Sequence, residues 1–472
     1  MPRTESNIRS CSFHIYNYSV IFHGEVLSMK KKLGLTLVLG GAMLALSACG
    51  GSNGQSAQGN TQPPAASQTP EVKKDPITLT VFGLGVPEQE FNDRFRAALE
   101  KKFPYITFKY IPPDKGNSLP ELVARGETPD LIRTDVPNLK NNYLDLKLGT
   151  DLNEYVKKFK VDLTRFNAPF IQEMIDAGQT GALYGIPYPP YFPMVLTYNK
   201  NLFDQFGVAY PKDGMTFDDV YAIAQKMSRA EGGKTYRGFS ANIMAMLRDN
   251  PYGYPILDPN ADALYDPEKW KPLFGNFKRF YELPNNTIEA TRPAEINDAF
   301  KKGNVAMQIN QYSQYLPIPN EIDWDIVSYP TFKDAPKKMA WRGSAYWSVS
   351  ATSKHKDDAF QVIMDMVSDE IQLADAKKGM LPTVANKSIQ DAFGKERPDL
   401  QSKNIKALFY YSEWAPYSPK RKAGLSNVAT VIQQDSMAQT FHDVATNKAD
   451  INTGLRQLDE KLKAELAKEK SK

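Results

Sequence analysis

The chain has 472 residues, 42% of them hydrophobic and 24% charged, which is too long for one compact core and predicts two or three domains. The formal net charge is +4, but the first 48 residues carry five basic and two acidic side chains, so the remainder carries about +1. A near-neutral body gives no electrostatic reason to expect nucleic-acid binding, which needs a basic face. Two cysteines and four histidines offer no disulfide framework and argue against a multi-cysteine metal site or a catalytic zinc centre, and we expect no cofactor.

Residues 29–48 are predicted to be a secretory signal peptide. Three lysines precede an apolar run at 33–46, and small residues follow it; the run is shorter than the ~20 residues of a membrane-spanning helix. The tetrapeptide Leu-Ser-Ala-Cys that ends at Cys49 resembles the bacterial lipobox. That resemblance implies that Cys49 is diacylated, becomes the mature N-terminus and anchors the protein to a membrane surface. The alternative is an ordinary signal peptide with an incidental cysteine.

Two segments flank this signal. Residues 1–28 are polar and aromatic without periodicity, so we interpret them as an upstream mis-start, with the natural start at Met29. Residues 49–75 contain the cysteine and a stretch rich in Gly, Ser, Gln, Asn, Ala and Pro, which cannot bury enough apolar surface to order itself. As a flexible coil this tether would span roughly 25–30 Å.

The folded body is predicted to alternate strands with helices. Residues 77–82 and 106–110 have the strand pattern, and between them Phe91, Phe95 and Leu99 recur on one helical face. A strand, a helix and a strand within about 35 residues form a βαβ unit with a parallel sheet. A further strand is expected at 130–134. The pattern therefore predicts an α/β fold.

Helix signals continue along the chain. Thr216, with Asp219 three residues later, is typical of a capping box. Ser353 is expected to cap another helix, whose first turn carries Asp357 and Asp358. Residues 455–467 predict an amphipathic, charged helix.

Seven short segments, in chain order, resemble those of bacterial extracellular solute-binding protein family 1, the maltose-type sugar-binding proteins of ABC importers. They are FPYITFKY at 103–110, RGETPDLI at 125–132, LYGIP at 183–187, YNKNLF at 198–203, FKKGNVAM at 300–307, SKHK at 353–356 and GMLP at 379–382. The resemblance covers the chain from about residue 77 to the C-terminus.

The resemblance implies a periplasmic-binding-protein-like fold, with two α/β lobes, a hinge and an interlobe ligand cleft. By position, residues 76–187 plus 292–340 would form the N-terminal lobe, and residues 188–291 plus 341–472 the C-terminal lobe. The chain would cross between the lobes near Tyr188, Arg292 and Trp341. The implied function is that of a monomeric, extracytoplasmic, lipid-anchored protein on the outer face of the cell membrane, which delivers a carbohydrate, preferentially an oligosaccharide, to ABC permease subunits.

A sugar presents apolar ring faces and a rim of hydroxyls, so its site needs aromatic platforms and planar polar side chains. The residues that carry this chemistry in the expected cleft segments are Gly83, Asp135, Tyr188, Tyr191, Phe192, Asn310, Gln311, Tyr312, Trp341, Arg342, Ser344 and Trp414.

Each choice has a structural alternative. The aromatic run from Tyr188 could be a hydrophobic hinge seam, and Asp135 an ordinary loop acid or helix cap. Trp341 and Trp347 share one face of an extended segment; we place Trp341 near the cleft and Trp347 in the core, although Trp341 could also be a core residue. A single glycine, Gly343, stands where family members often have two, which leaves the local geometry open.

Part of the sequence resembles a calcium-binding loop. Asp258, Asn260, Asp262 and Asp266 have part of a calcium-loop spacing, but Ala263 and Lys269 stand where that loop needs Gly and Glu, so we expect a solvated loop.

A surface-anchored carbohydrate-active enzyme and a sugar sensor without transport are the alternative functions that remain open. The sequence contains no His-Glu-x-x-His motif, and its one Gly-x-Ser-x-Gly match, GGSNG at 50–54, falls in the predicted tether rather than between a strand and a helix, so it forms no nucleophile elbow. We therefore expect a binding protein rather than an enzyme.

Overall fold

The computed structural model describes residues 74–114, 116–288, 299–313, 318–415 and 420–471. The predicted upstream segment, signal peptide, Cys49 and tether lie outside these residues, as does Arg292. Residues from Asp75 onward form one compact unit.

The described residues form a mixed α/β structure. The strands are β1 Ile77–Gly83, β2 Ile106–Ile111, β3 Leu131–Asp135, β4 Ile186–Tyr188, β5 Phe192–Asn199, β6 Arg229–Glu231, β7 Lys234–Tyr236, β8 Ser240–Ala241, β9 Met307–Gln311, β10 Trp324–Ser328, β11 Trp341–Arg342 and β12 Ala345–Val349. The α-helices are Glu88–Phe91, Ala97–Lys102, Leu119–Arg125, Val136–Leu139, Asn153–Lys158, Ala168–Gly178, Lys200–Phe206, Phe217–Met227, Ile243–Arg248, Pro267–Tyr281, Lys356–Met366, Asp369–Lys377, Lys387–Gln390, Thr430–Ala445 and Ile451–Lys470. The π-helical turns are Asn92–Arg96 and Lys140–Leu144, and the 3₁₀ turns are Leu163–Arg165, Pro398–Leu400 and Ile405–Phe409.

The first lobe is built on a five-stranded sheet with the order β2-β1-β3-β12-β4. β1 runs parallel to β2 and to β3, which confirms the predicted βαβ unit. β12 runs antiparallel to both β3 and β4, so the sheet is mixed rather than parallel throughout. Alternating burial along β2, with Ile106, Phe108 and Tyr110 inward, shows one face covered by helices.

The second lobe is built on a sheet with the order β10-β5-β9-β8, and β11 adds to β5. β5 is buried along almost its whole length because it lies in the interior of the sheet with helices against it. The last helix, Ile451–Lys470, packs on this lobe through Leu455, Leu458 and Leu462. Its far end reaches the first lobe, where Lys140 Nζ donates to Glu469 Oε2 at 2.7 Å.

The strand pairing differs from the lobe boundaries expected from the sequence. β9 and β10, which fall within the expected N-terminal segment 292–340, pair with β5 in the second lobe. β12, which falls within the expected C-terminal segment 341–472, pairs in the first lobe. Leu283 and Ala306, on either side of the expected crossing at Arg292, both pack in the second lobe's core. The reason is that strands far apart in the sequence pair by hydrogen bonds within one sheet. Local sequence patterns do not encode which strands pair.

Local helix predictions had two outcomes. The capping box at Thr216 is confirmed: Asp219 N donates to Thr216 Oγ1 at 3.2 Å, and Thr216 N donates to Asp219 Oδ2 at 2.8 Å. The prediction that Ser353 caps the next helix is wrong, because that helix begins at Lys356 after His355. Ser353 Oγ instead donates to Asp130 Oδ1 at 2.6 Å, and so ties the turn to the strand region of the first lobe.

Candidate functional site

The chain passes between the two sheets at two places. It leaves the first sheet after Tyr188 and enters the second at Phe192; it leaves the second at Arg342 and re-enters the first at Ala345. Most of the residues singled out in the sequence lie at these two passages or at the strand ends beside them. The structure therefore brings them to one region of the molecule.

In the first lobe, Gly83 and Asp135 are the last residues of the parallel strands β1 and β3. Tyr110 donates its hydroxyl hydrogen to the Gly83 carbonyl, and a Cβ at residue 83 would lie 2.2 Å from the Tyr110 hydroxyl oxygen. Glycine is therefore required here for close packing. Asp135 is buried and caps the following helix, accepting from Asn138 N at 3.1 Å and Asn138 Nδ2 at 2.8 Å. Asp135 therefore acts as a helix cap, which was the alternative to a ligand contact.

Tyr188 and Ser344 join the same edge. Ser344 Oγ donates to the Tyr188 carbonyl at 2.6 Å, and the Tyr188 hydroxyl oxygen accepts from Arg133 Nε at 3.0 Å. The Tyr188 ring lies 5.6 Å from the Trp347 ring. Burial raises the pKa of Tyr188 above its ordinary value, although Arg133 and Arg94 act in the opposite direction. Both residues are held firmly within the first lobe.

In the second lobe, the end of β9 supplies two amides and a phenol. Asn310 is buried and accepts from Asn242 Nδ2 at 3.1 Å. Gln311 follows it, and its Nε2 is buried with no acceptor among the described residues. The Tyr312 ring packs 6.0 Å from the Phe393 ring, and burial raises the Tyr312 pKa.

Four rings form what we call the aromatic cluster: Phe170, Tyr191, Trp341 and Trp414. Phe170 lies 4.9 Å from Trp341 and 5.2 Å from Trp414, and Tyr191 lies 4.9 Å from Trp414, all between ring centroids and all steeply tilted. Trp341 is 2% exposed, and its Nε1 donates to the Ala415 carbonyl at 2.8 Å. The rings come from both lobes, since Phe170 lies on a helix whose Met174 packs in the first lobe's core.

Strand β11 sets the position of Trp341. It pairs with the start of β5, with Trp341 opposite Pro193 and Arg342 opposite Phe192. Only the backbone of Arg342 is described. Phe192 is half-buried, so the residue is partly exposed to solvent.

Sequence reasoning missed the helix Ala168–Gly178. Besides Phe170 it carries Glu173, which is 3% exposed and accepts from the Tyr346 hydroxyl at 3.0 Å. A Cβ on Gly343 would lie 1.9 Å from Glu173 Oε1, so this carboxylate lies directly against the backbone passage between lobes. Phe170 and Glu173 lie three residues apart on one helical face, a spacing so common in amphipathic helices that it carried no specific signal for the site.

A second region missed by sequence reasoning is what we call the polar pocket, which adjoins the aromatic cluster through Trp341. Its polar lining is Arg248, Asp249, Asn250, Thr430, Gln433 and Gln434. Arg248 Nε donates to Asp249 Oδ1 at 2.6 Å. Its free volume is about 30 Å³, which is room for about one or two water molecules held by its amides and hydroxyl.

The partial calcium-loop sequence has cationic partners instead of a cation site. Arg421 and Lys470 donate to the Asp262 carboxylate at 2.5 and 2.6 Å. Asp258 accepts from Asn260 N at 2.7 Å. These contacts use the oxygens that a calcium ion would need.

Comparison with known proteins gave matches of two kinds. The family model described as bacterial extracellular solute-binding protein matches residues 85–373. An ABC substrate-binding protein from Listeria monocytogenes, solved in complex with cycloalternan, is 20% identical with a TM-score of 0.67; the match covers 82% of this chain and 98% of that chain.

Two further solved structures are similar. A receptor from Streptomyces glaucescens, solved unliganded and with acarbose, is 16% identical with a TM-score of 0.62, covering 84% of this chain and 99% of that chain. A Mycobacterium tuberculosis protein in complex with glycerophosphocholine is 16% identical with a TM-score of 0.63, covering 84% and 99%. No match was found among curated proteins.

Proposed function

Because the chain belongs to the family of bacterial extracellular solute-binding proteins, we propose that it is the binding component of an ABC importer and captures an oligosaccharide between its two lobes. The observation that carries the proposal is the aromatic cluster, with rings from both lobes at the passages between the two sheets. Aromatic faces match the apolar faces of sugar rings, and the rings bury large apolar areas when covered. Lobes joined by short passages can close on such a ligand.

The similar structures support a carbohydrate. Those from Listeria monocytogenes and Streptomyces glaucescens were solved with cycloalternan and acarbose, whereas the one from Mycobacterium tuberculosis holds glycerophosphocholine. A small phosphodiester is therefore the second candidate ligand class. The polar pocket favours the carbohydrate, because Arg248, the only cation among the described residues that line it, is already paired with Asp249.

The proposed contact residues are those of the two facing edges. Tyr191, Trp341 and Trp414 would supply ring faces, and the buried amides at the end of β9 would supply hydrogen bonds. The remaining proposed contacts are Gly83, Asp135, Tyr188, Phe192, Asn310, Gln311, Tyr312, Arg342 and Ser344.

The test is a calorimetric and thermal-shift panel on the purified chain, with malto-oligosaccharides, acarbose, cycloalternan and glycerophosphocholine as probes. A ligand at 100 times its dissociation constant should add about 2.7 kcal/mol to the free energy of unfolding. Binding of a glycan without turnover supports the proposal. Glycan hydrolysis by the pure protein would favour the enzyme alternative, and binding of none of the glycans would refute the carbohydrate.

We also propose that Cys49 anchors the protein and that closed, liganded protein delivers its cargo to permease subunits as a monomer. Among the described residues, no helix is long and apolar enough to cross a membrane. Expressed in a lipoprotein-processing bacterium, wild-type protein should partition with membranes, and Cys49→Ser should release it or leave the precursor uncleaved. Cys11→Ser is the matched control and should change nothing. Wild-type protein recovered wholly soluble with an unmodified Cys49 would contradict the anchor.

A further inference from the structure

The chain leaves the first sheet at three successive residues whose carbonyl oxygens are each held by a side chain. The donors and acceptors are Thr383 Oγ1 to the Pro187 carbonyl at 3.3 Å, Ser344 Oγ to the Tyr188 carbonyl at 2.6 Å and Arg94 Nη2 to the Pro189 carbonyl at 3.0 Å. Proline has no N–H group, so at Pro187 and Pro189 the carbonyl is the only backbone group that can form a hydrogen bond. The three side chains therefore fix how this first passage between the lobes begins.

The three donors come from separate parts of the chain. Ser344 lies in the second passage, just before β12. Thr383 lies where the chain starts its last return to the second lobe, between the helix Asp369–Lys377 in the first lobe's core and the helix Thr430–Ala445 in the second lobe's core. Arg94 lies on the first π-helical turn of the first lobe. All three connections between the lobes are therefore joined to one another at this point.

Arg94 is buried and fixed by two carboxylates. Its side chain is 3% exposed, as is that of Asp375, and the two form a bidentate pair, with Nη2 donating to Oδ2 at 2.6 Å and Nε to Oδ1 at 3.2 Å. Arg94 Nη1 donates to Glu90 Oε1 at 2.7 Å. The planar guanidinium has five N–H groups in a rigid fork, so it can hold both carboxylates and still present an N–H group to the Pro189 carbonyl.

The ion pair also reaches the start of the last return. Gln372 lies on the same helix as Asp375, and its Oε1 accepts from Thr383 N at 2.8 Å and from Val384 N at 3.2 Å. The helix that Arg94 holds through Asp375 is therefore the helix that holds the backbone at Thr383. Thr383 is 0% exposed. Gln372 Oε1 keeps its two backbone donors when the Thr383 hydroxyl is removed, so this hydroxyl can be tested by itself.

We infer that Arg94 and Thr383 are positioning residues, which together with Ser344 form what we call the hinge base and set the preferred arrangement of the two lobes. Hinge motion is absorbed by a few residues between rigid parts, and the hinge base keeps the first-lobe ends of the passages among the rigid parts. When it is loosened, the lobes adopt a wider range of separations. The arrangement that binds ligand is then a smaller fraction of the unliganded protein, and the apparent affinity falls by that fraction.

This inference rests on the proposed function for its effect on ligand binding, and it adds residues that regulate the same site from outside it. Arg94 and Thr383 are buried, so they act through the backbone of the passages. Their effect on the lobes is present without ligand, which makes it measurable even if the proposed ligand class is wrong.

The first variant is Arg94→Lys. Lysine keeps a positive charge beside Asp375 but has one compact ammonium group in place of the planar fork, so the Pro189 carbonyl loses its fixed donor. The matched control is Arg165→Lys. Arg165 Nη2 donates to Asp369 Oδ1 at 2.5 Å on the same helix as Asp375, at a partly exposed position outside the hinge base.

The measurement is the distribution of interlobe distances, by electron–electron resonance between two spin labels in the purified chain. The labels are attached at Lys101→Cys and Lys461→Cys, which are exposed positions on a first-lobe helix and on the last helix. Cys11→Ser and Cys49→Ser leave these as the only thiols. Maltotriose is the probe, both in this measurement and in calorimetry.

We expect Arg94→Lys to broaden the distance distribution of the unliganded protein and to weaken maltotriose binding about threefold, as a threefold smaller competent fraction predicts. Arg165→Lys should leave the distribution unchanged and the affinity within about twofold. A merely structural role for Arg94 would lower the melting temperature and leave the distance distribution of the folded protein as in the wild type.

Thr383 supplies a second, milder pair of variants. Thr383→Val removes the hydroxyl at nearly the same shape and should broaden the distribution, whereas Thr383→Ser keeps the hydroxyl and should restore the wild-type distribution. If Arg94→Lys does not fold, this pair alone decides.

The outcomes are separable. Wild-type distance distributions in the folded Arg94→Lys and Thr383→Val proteins overturn the inference and leave the proposed function standing. Broader distributions with unchanged maltotriose affinity overturn the claim that the hinge base regulates the site. If the wild type binds no glycan, the proposed function falls, and the distributions of the unliganded proteins still support or overturn the hinge base.

Discussion

Replacing Trp341 with Ala should lower the free energy of unfolding by more than the sequence alone suggested. From the sequence we expected Trp341→Ala to weaken ligand binding far more than folding. In the structure the ring is 2% exposed and packs against Phe170 and Trp414. Truncating a buried aromatic ring costs about 3–5 kcal/mol. The hydrogen bond from Trp341 Nε1 to the part-buried Ala415 carbonyl is lost as well, which adds to the cost because the carbonyl is left without its donor.

The measurement is paired calorimetry and thermal unfolding. The melting entropy is about 2.1 cal/mol/K per residue. For the compact unit from Asp75 onward, one kcal/mol therefore lowers the melting temperature by roughly 1 °C, and Trp341→Ala should melt about 4–6 °C lower than the wild type. Trp341→Phe keeps a ring but loses the Nε1 donor, and should cost about 1–2 kcal/mol. Trp414→Ala, at a half-buried position, is the control for losing a neighbouring ring, and should cost less than Trp341→Ala.

Binding is then measured on the folded fraction, at a temperature well below the variant's melting point. A platform that lost its indole should lose roughly ten- to a hundredfold in affinity, in addition to the stability loss. A melting temperature within about 2 °C of the wild type would refute the reasoning, because a ring packed as described cannot be removed at so small a cost.

Two further variants test the packing at the passage and the surface charges. Gly343→Ala should destabilise the protein by about 1–3 kcal/mol in urea unfolding, because its Cβ would meet Glu173 Oε1 at 1.9 Å; an unchanged midpoint would show that the carboxylate moves aside freely. Hydrogen bonds, first from Lys200 and then from Lys403, hold the pKa of Asp323 below its ordinary value. The ionised Asp323 therefore stabilises the folded protein above the unfolded-state pKa of about 3.9, and this contribution is lost as the pH falls through the lower folded-state pKa. Asp323→Asn should therefore lose stability less steeply than the wild type between pH 5 and 3, by a few tenths of a kcal/mol at this half-exposed surface pair, and identical pH profiles would contradict this.

The sequence predicted elements whose signals are local. Alternation marked β1 and β2, a capping box marked the helix after Thr216, and Trp347 was placed in the core, where it is 0% exposed. Trp341 and Trp347 share one face of the sequence pattern but lie in different sheets, because the chain passes between lobes between them. Such passages depend on long-range pairing and leave no periodic signal.

The candidate site could be predicted from the sequence only in part, because it too depends on long-range pairing. Aromatic residues at the passages could be selected by type, and Tyr191, Trp341 and Trp414 do lie together. Phe170 and Glu173 could not be selected, since an apolar and an acidic residue on one amphipathic helix are ordinary. Asp135 was ambiguous, because a carboxylate that follows a strand can equally well cap a helix.

The position of β12 within the first sheet has a consequence for how the protein reaches its native state. β12 lies between β3 and β4, where Asp135 pairs with Ala345, 210 residues later in the chain. The first lobe therefore lacks an interior strand until almost three quarters of the polypeptide has been made. Contacts this distant in sequence slow folding, because a large loop must close before they form. A chain cut before residue 345 would expose the edges of β3 and β4, which are templates for aggregation, so the N-terminal lobe of this protein completes its folding late, after the second lobe's β5, β9 and β10 are already available to pair.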